Sequence, residues 1–345
     1  TLLLPQDFPI AELGHFDRDN PLSYGNLLKN KNISTDAGGQ SPPRSLVYVY
    51  LDGDYSVDDM HFFCEPDQKV LRAVPWMVLR ADEYFMPALF LNRDFEPELV
   101  QLFPEKETVF HHLSRYLFHP TNKVWGMITR YYRAYLATQR DKVGIQIRMF
   151  NSTEAPFDVV SEQVINCTLK EKLLPEVELN KSAAGMMADP NKTMVVLITS
   201  LNPGYADRIK DLYREHPAAG GVIVSAHQPS HENQQRTGRA GHDAKAWAEM
   251  NLLSFADVLV TSSWSTFGYV SQGLGGVRPW ILVRPEKGAM PEPTCVRDIS
   301  MEPCLHSSPW YVCREKKLGD NGKVVPFVTH CRDVGGGLKL VDRIR

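Results

Sequence analysis

Residues 257–276 read DVLVTSSWSTFGYVSQGLGG. The run opens as an apolar, β-branched strand, passes through a turn rich in Ser and Thr, and continues into an apolar segment that the pattern makes a helix starting near Ser265. The same alternation recurs on both sides. VGIQIRMF (143–150), MVVLITS (194–200), GVIVSAH (221–227) and PWILVRP (279–285) are short apolar strands separated by segments of helical length. Strands alternating with helices specify an α/β fold built on a doubly wound parallel sheet. Such sheets bind ligands at the carboxyl ends of their strands, so the polar residues just past each strand are the candidates for function.

Three strand ends stand out. In VGIQIRMF the period of two places Ile145 and Ile147 on one face and Gln146 with Arg148 on the other. That polar pair meets a ligand, a partner side chain or, if the strand is an edge, solvent; a guanidinium at a strand end is a good bidentate clamp for phosphate. At the second end, the backbone N–H groups of the helix start, joined by the Ser265 and Thr266 hydroxyls, form either an ordinary N-cap or an anion site suited to a diphosphate. Gly273, Gly275 and Gly276 lie at the wrong end of this helix for a dinucleotide fingerprint. At the third, His227 ends GVIVSAH and is either a structural donor or the lining of a nucleobase site. Asp243 is expected to cap the helix carrying Trp247, Met250 and Leu253. Glu249, offset from that apolar face, accepts from ribose hydroxyls or faces solvent.

Upstream the pattern is different. Residues 1–45 show no sustained period, SLVYVYL (45–51) and residues 76–79 read as strands, and 122–138 reads as a helix behind Thr121. The change of pattern places the expected domain boundary between 141 and 142, giving domains 1–141 and 142–345. Asp52-Gly53-Asp54 imitates a metal-holding DxD but is also common turn chemistry. His111, His112 and His119 come without HExxH or CxxC, so no metal site is expected. Asp82, just past a strand, is a candidate general base or a structural cap.

The chain has 345 residues, 38 Lys plus Arg against 41 Asp plus Glu, and a net charge of -3, which argues against a nucleic-acid-coating surface. Its longest apolar runs, such as Met194–Ile198, are far short of the roughly 20 residues needed to span a bilayer. Six cysteines and sequons at Asn32, Asn151, Asn166, Asn180 and Asn191 favour a secretory lumen. Six cysteines allow 15 complete pairings, and the sequence does not choose among them.

Five blocks then carry a resemblance: VGIQIRMF (143–150), LFPEKETVFHHLSRYLFHPTNKVWG (102–126), CTLKEKLLPEV (167–177), AEMNLLSFADVLVTSSWSTFGYVSQGLGGVRPWIL (248–282) and SMEPCLHSSP (300–309). Together they resemble the plant fucosyltransferases of glycosyltransferase family 37, from about Pro5 to Asp342. The resemblance implies a variant GT-B fold of two Rossmann-like domains facing a cleft, the first of them lacking its N-terminal part here. It implies inverting transfer of L-fucose from GDP-L-fucose to a galactose hydroxyl of xyloglucan in an α-1,2 linkage, with no cofactor and no required metal. Transfer to arabinogalactan protein glycans, or glycan or nucleotide binding without catalysis, are the alternatives. The family lives in the Golgi lumen on a type II membrane anchor that this chain does not contain, and a homodimer or a complex of Golgi transferases is a conceivable assembly. By resemblance Arg148 is the donor-diphosphate arginine, Gln146 its neighbour in that motif, and Ser265, Thr266 and Phe267 the donor motif at the helix start. Extending the strand-end reading puts His227 and Glu249 near guanosine, and makes Asp82, past a strand of the first domain, the candidate to take the acceptor proton.

Overall fold

The first strands, β1 (Leu46–Leu51) and β2 (Trp76–Ala81), pair in parallel from Leu46 opposite Trp76 to Leu51 opposite Ala81. The computed structural model describes residues 17–33, 45–149, 152–178, 188–230 and 232–342; Asn151, Asn180 and most of the irregular stretch 1–45 lie outside them. The chain forms two units, 1–106 with 304–345, and 107–303.

In the first unit the connection from β1 to β2 is helical, the usual form of the crossover that parallel pairing requires. Ser56 starts it: its hydroxyl accepts from the Asp59 N–H while the Asp59 carboxylate accepts from the Ser56 N–H, a reciprocal cap written in the sequence as Ser-x-x-Asp. Val47, Val49 and Leu51 pack with Tyr24, Phe62, Phe63 and Leu305 into one core. Leu305 shows that the tail belongs here. It pairs with Leu338, and the disulfides Cys64–Cys313 and Cys304–Cys331 fix the tail covalently.

The second unit holds the sheet foreseen from the alternation. β3 (Asp141–Gln146), β4 (Thr193–Thr199), β5 (Ile223–His227), β6 (Val258–Ser262) and β7 (Trp280–Leu282) run parallel, and β8 (Cys295–Arg297) adds an antiparallel edge, in the order β5-β4-β3-β6-β7-β8. Both faces are covered, which is why β4 reads as an unbroken apolar run. Val196 and Ile198 join the core beneath the helix Phe157–Lys170, while Val195 and Leu197 join the one formed with Ile128, Leu252 and Leu253. Cys167–Cys295 ties that helix to β8.

The observed division differs from a single boundary at 141/142. The tail is cross-linked to the first unit, and Val124 and Ile128, from the helix Asn122–Tyr131, pack in the core of the second. Neither link is local in sequence. All six cysteines are paired. Among the described residues no helix is long and apolar enough to cross a membrane.

Candidate functional site

β3 pairs with β4 on one side and β6 on the other, so the polar residues at its end do not belong to an edge strand. Gln146 is 3% exposed, and its Oε1 accepts the Ser262 N–H at 3.2 Å. Its carboxamide thus joins two strand ends beneath the surface, which makes it a support for the site. Arg148, two residues on, is half-buried. Its backbone N–H donates to Ser262 Oγ at 3.0 Å, and its guanidinium Nη2 donates to Gln235 Oε1 at 2.8 Å.

The helix after β6 runs from Thr266 to Gly275, with Ser265 at its N-cap position. Two glycines decide how it sits. A Cβ on Gly268 would lie 2.9 Å from Thr261 Cβ and 3.1 Å from Gln146 Oε1, so only glycine lets the first turn approach the strand ends this closely. Gly276 ends the helix with φ +67°, the left-handed turn that favours glycine. Ser265 is 1% exposed, and its Oγ makes no hydrogen bond, not even the cap that its position invites. Thr266 is exposed, and no acidic residue occupies the first turn to neutralise the helix dipole. Phe267 turns inward against the core of Ile128 and Leu252, so its side chain packs the helix rather than facing a ligand.

His227 ends β5, its ring 4.8 Å from that of Tyr135, which in turn lies 4.7 Å from Tyr131. Burial, with Lys210 nearby, lowers the His227 pKa and favours the neutral imidazole. Tyr135 belongs to a π-helical turn, Tyr132–Leu136, of the kind often found at functional sites. Glu249 is 9% exposed, which removes the solvent-facing alternative. Burial pushes its carboxyl up to about 7, against hydrogen bonds from the Ser230 hydroxyl and backbone. Burial first, then Tyr135 and Glu249, raise the Tyr131 hydroxyl, so Tyr131 connects His227 and Glu249 in one patch. The helix carrying Glu249 starts at Ala240 with Arg239 at the N-cap position, and Asp243 lies within its first turn rather than capping it.

Sequence reasoning missed several residues beside Arg148. Glu154, Trp264 and Arg284 line one small cleft with it. Arg284 follows β7 just as Arg148 follows β3, and the strand-end rule applied to PWILVRP finds it. Its guanidinium lies over the Trp264 ring, 5.1 Å from the centroid, and bonds Glu154 at 2.7 Å. No local pattern distinguishes Glu154 or Gln235.

Asp82 lies in the first unit, exposed just past β2. The neighbouring Glu83 carries the structural contacts, accepting from the Ser307 N–H and hydroxyl at 2.8 Å each. Asp52 pairs with Arg80 at 2.6 Å and Asp54 accepts from the Tyr50 hydroxyl at 2.9 Å, so the Asp-Gly-Asp carboxylates serve the turn. Among the described residues the two groups of His, Cys and Asp close enough to share a metal, around Cys64 and around Cys304 with Cys331, owe their cysteines to disulfides.

Comparison with known proteins bears on the whole chain. It is 49% identical over 340 residues to a galactoside 2-alpha-L-fucosyltransferase of Pisum sativum and 50% identical to one of Arabidopsis thaliana, covering 98% of this chain and 59% and 60% of those proteins. The chain therefore spans about three-fifths of the length of these curated relatives. A solved structure of an Arabidopsis thaliana FUT1 mutant in complex with GDP superposes with a TM-score of 0.85 at 49% identity, over 98% of this chain and 71% of that one. The mixed α/β architecture with its parallel sheet is thus that of a GT-B-like fucosyltransferase fold. The xyloglucan fucosyltransferase family model matches residues 1–314, and the chain belongs to that family.

Proposed function

We propose that the protein transfers L-fucose from GDP-L-fucose to a galactose hydroxyl of a plant cell-wall glycan, xyloglucan in the first instance, with inversion at the sugar. The observation that carries this reading is Arg148, set at the carboxyl end of a central strand beside a helix start that holds no acid and a buried, unbonded Ser265 hydroxyl. The names of the relatives and the GDP in the FUT1 complex point the same way.

The transition state of such a transfer resembles an oxocarbenium ion, and negative charge grows on GDP as the bond to the sugar breaks. Arg148 and the N–H groups of the first helical turn are fixed in advance where that charge develops, which is the most effective form of electrostatic catalysis. His227 in its neutral form and Glu249 supply donors and acceptors for the guanosine end. Asp82 is the residue we assign to take the acceptor proton, because Glu83 is committed to Ser307. The reaction needs no metal in this scheme. Three disulfides and the exposed Asn32 and Asn191 sequons suit an oxidising, glycosylating lumen such as the Golgi.

The test is transfer from GDP-fucose, with and without EDTA, to galactosylated xyloglucan and to arabinosylated acceptors, followed by linkage analysis. An EDTA-resistant α-1,2-fucosyl galactose product supports the reading. Product on the arabinosylated acceptor alone moves the substrate to arabinogalactan glycans, and GDP binding without transfer to either acceptor overturns catalysis by this chain. Full activity and an unchanged pH profile in Asp82→Asn remove that residue from the scheme.

A further inference from the structure

Trp264 adopts φ +62°, the left-handed region that a bulky side chain enters only against a steric cost. It stands between Ser263, whose hydroxyl donates to Leu282 O at 2.7 Å, and the buried Ser265, so both flanks are held while the indole projects outward. The indole is 44% exposed in the cleft shared with Arg148, and the Arg284 guanidinium lies over it, itself bonded to Glu154. This backbone conformation presents a large aromatic face at the cleft, where a ligand can stack on it.

We infer that Trp264, with Glu154 and Arg284, forms the subsite for the sugar ring of a nucleotide-diphosphate sugar. The inference rests on the donor reading above and adds where along the sheet the sugar lies. The strand order supplies the direction. Arg148 follows β3, and the helix start follows β6, so the diphosphate sits at the middle of the sheet. His227 ends β5 on one side, with Glu249 in its patch. Trp264 and Arg284 follow β6 and β7 on the other. A ligand laid across these strand ends places its base toward β5 and its sugar toward β7.

The chemistry of the β7 side fits a sugar better than a base or another anion. The C–H face of a pyranose, and the methyl group of a 6-deoxy sugar, pack on an indole. The Glu154 carboxylate accepts from ring hydroxyls and repels phosphate, while Arg284 donates to hydroxyl oxygens and is kept in place by the ion pair and the ring beneath it. An adjoining diphosphate on Arg148 orients the sugar without itself needing Trp264.

The experiment compares affinities for GDP and GDP-fucose by calorimetry on the unsubstituted chain, Trp264→Gly and Trp264→Phe. Glycine removes the ring and accommodates the positive φ, so folding is preserved, which thermal melting checks. We expect Trp264→Gly to bind GDP within about threefold of the unsubstituted chain and GDP-fucose at least about tenfold more weakly, with Trp264→Phe between. Equal weakening for both ligands, or GDP-fucose affinity within about threefold in Trp264→Gly, overturns the sugar subsite while leaving the donor site standing. Should the glycine variant not fold, the same comparison on Trp264→Phe decides: a loss confined to GDP-fucose supports the subsite and an equal or absent loss overturns it. Binding of neither ligand by the unsubstituted chain is a different result, which overturns the donor reading itself and the subsite with it.

Discussion

The Arg148 guanidinium donates to Gln235 Oε1 at 2.8 Å across 87 residues of sequence, and Gln235 Nε2 donates to Thr237 Oγ1 at 2.8 Å. The arginine at the end of the central strand is therefore held by the loop that follows β5. Residues 233–239 of that loop are exposed, which makes the contact a means of aiming a long side chain before any ligand arrives.

Replacing Arg148 tests the centre of the proposed site. Arg148→Ala removes a fixed charge from the leaving diphosphate, and kcat for fucosyl transfer should fall by about a hundredfold or more, the usual cost of one preorganised donor. Arg148→Lys should recover little, since an ammonium lacks the planar fork that meets two phosphate oxygens. Turnover near that of the unsubstituted chain in a folded Arg148→Ala protein contradicts this role.

Gln235 is expected to act through Arg148. Gln235→Ala should weaken GDP by roughly 3- to 10-fold, about 1 kcal/mol for one lost hydrogen bond. Gln235→Glu should weaken it further, because a carboxylate pairs with the guanidinium and competes with the diphosphate. Calorimetric titration with GDP orders the three proteins, and equal affinity for GDP in the glutamate variant and the unsubstituted chain rules the contact out as a positioning device.

Glu249 predicts a pH effect on stability. Its folded-state pKa, about 7, lies above its ordinary value of 4.5 because the carboxyl is buried. Between those values the folded protein keeps a proton that the unfolded chain releases, so this residue's contribution to stability falls as pH rises through the window. Glu249→Gln abolishes that titration. Urea unfolding at about pH 5 and about pH 8 should show the variant gaining on the unsubstituted chain by roughly 2–3 kcal/mol over the interval. A constant difference between the two proteins across pH would refute the buried-acid assignment.

Gly268 tests the close approach of the helix start. In Gly268→Ala the added methyl meets Thr261 and Gln146, and overpacking of this kind costs about 1–3 kcal/mol. The helix start must shift to accommodate it, so GDP affinity should fall together with stability. Unchanged melting and unchanged GDP binding would mean that the first turn has room the distances deny it.

Much of the sheet was legible because a parallel strand covered on both faces has to be apolar at nearly every position. MVVLITS and DVLVTSS cannot disguise themselves, and the residues following them were correctly marked as strand ends. That rule alone marks Arg148, Ser265 and Thr266. It passes over Glu154, which lines the cleft, and Gln235, which bonds Arg148, because each comes from a segment with no periodic signal. For Phe267 and Gln146 motif position does not say which way a side chain turns, and packing against Ile128 and Leu252 claims one while the Ser262 N–H claims the other. For Glu249 the sequence leaves ribose and solvent as alternatives, since its helix shows little amphipathic contrast, and the burial and the Ser230 hydrogen bonds are tertiary.

Composition, alternation and motif were enough to establish an α/β fold, the strand ends where chemistry belongs, the absence of a bilayer-length apolar run and a resemblance to one fucosyltransferase family. All of these are properties of neighbouring residues, and neighbouring residues are what local sterics and hydrophobic periodicity act upon. Tertiary structure alone decided that residues 304–345 join the first unit and 107–141 the second, which cysteine meets which, and that Trp264 and Arg284 share a cleft with Arg148. These depend on contacts between segments far apart in the chain. Their stability comes from burying apolar surface and satisfying polar groups together, and that requirement has no address in any single stretch of sequence.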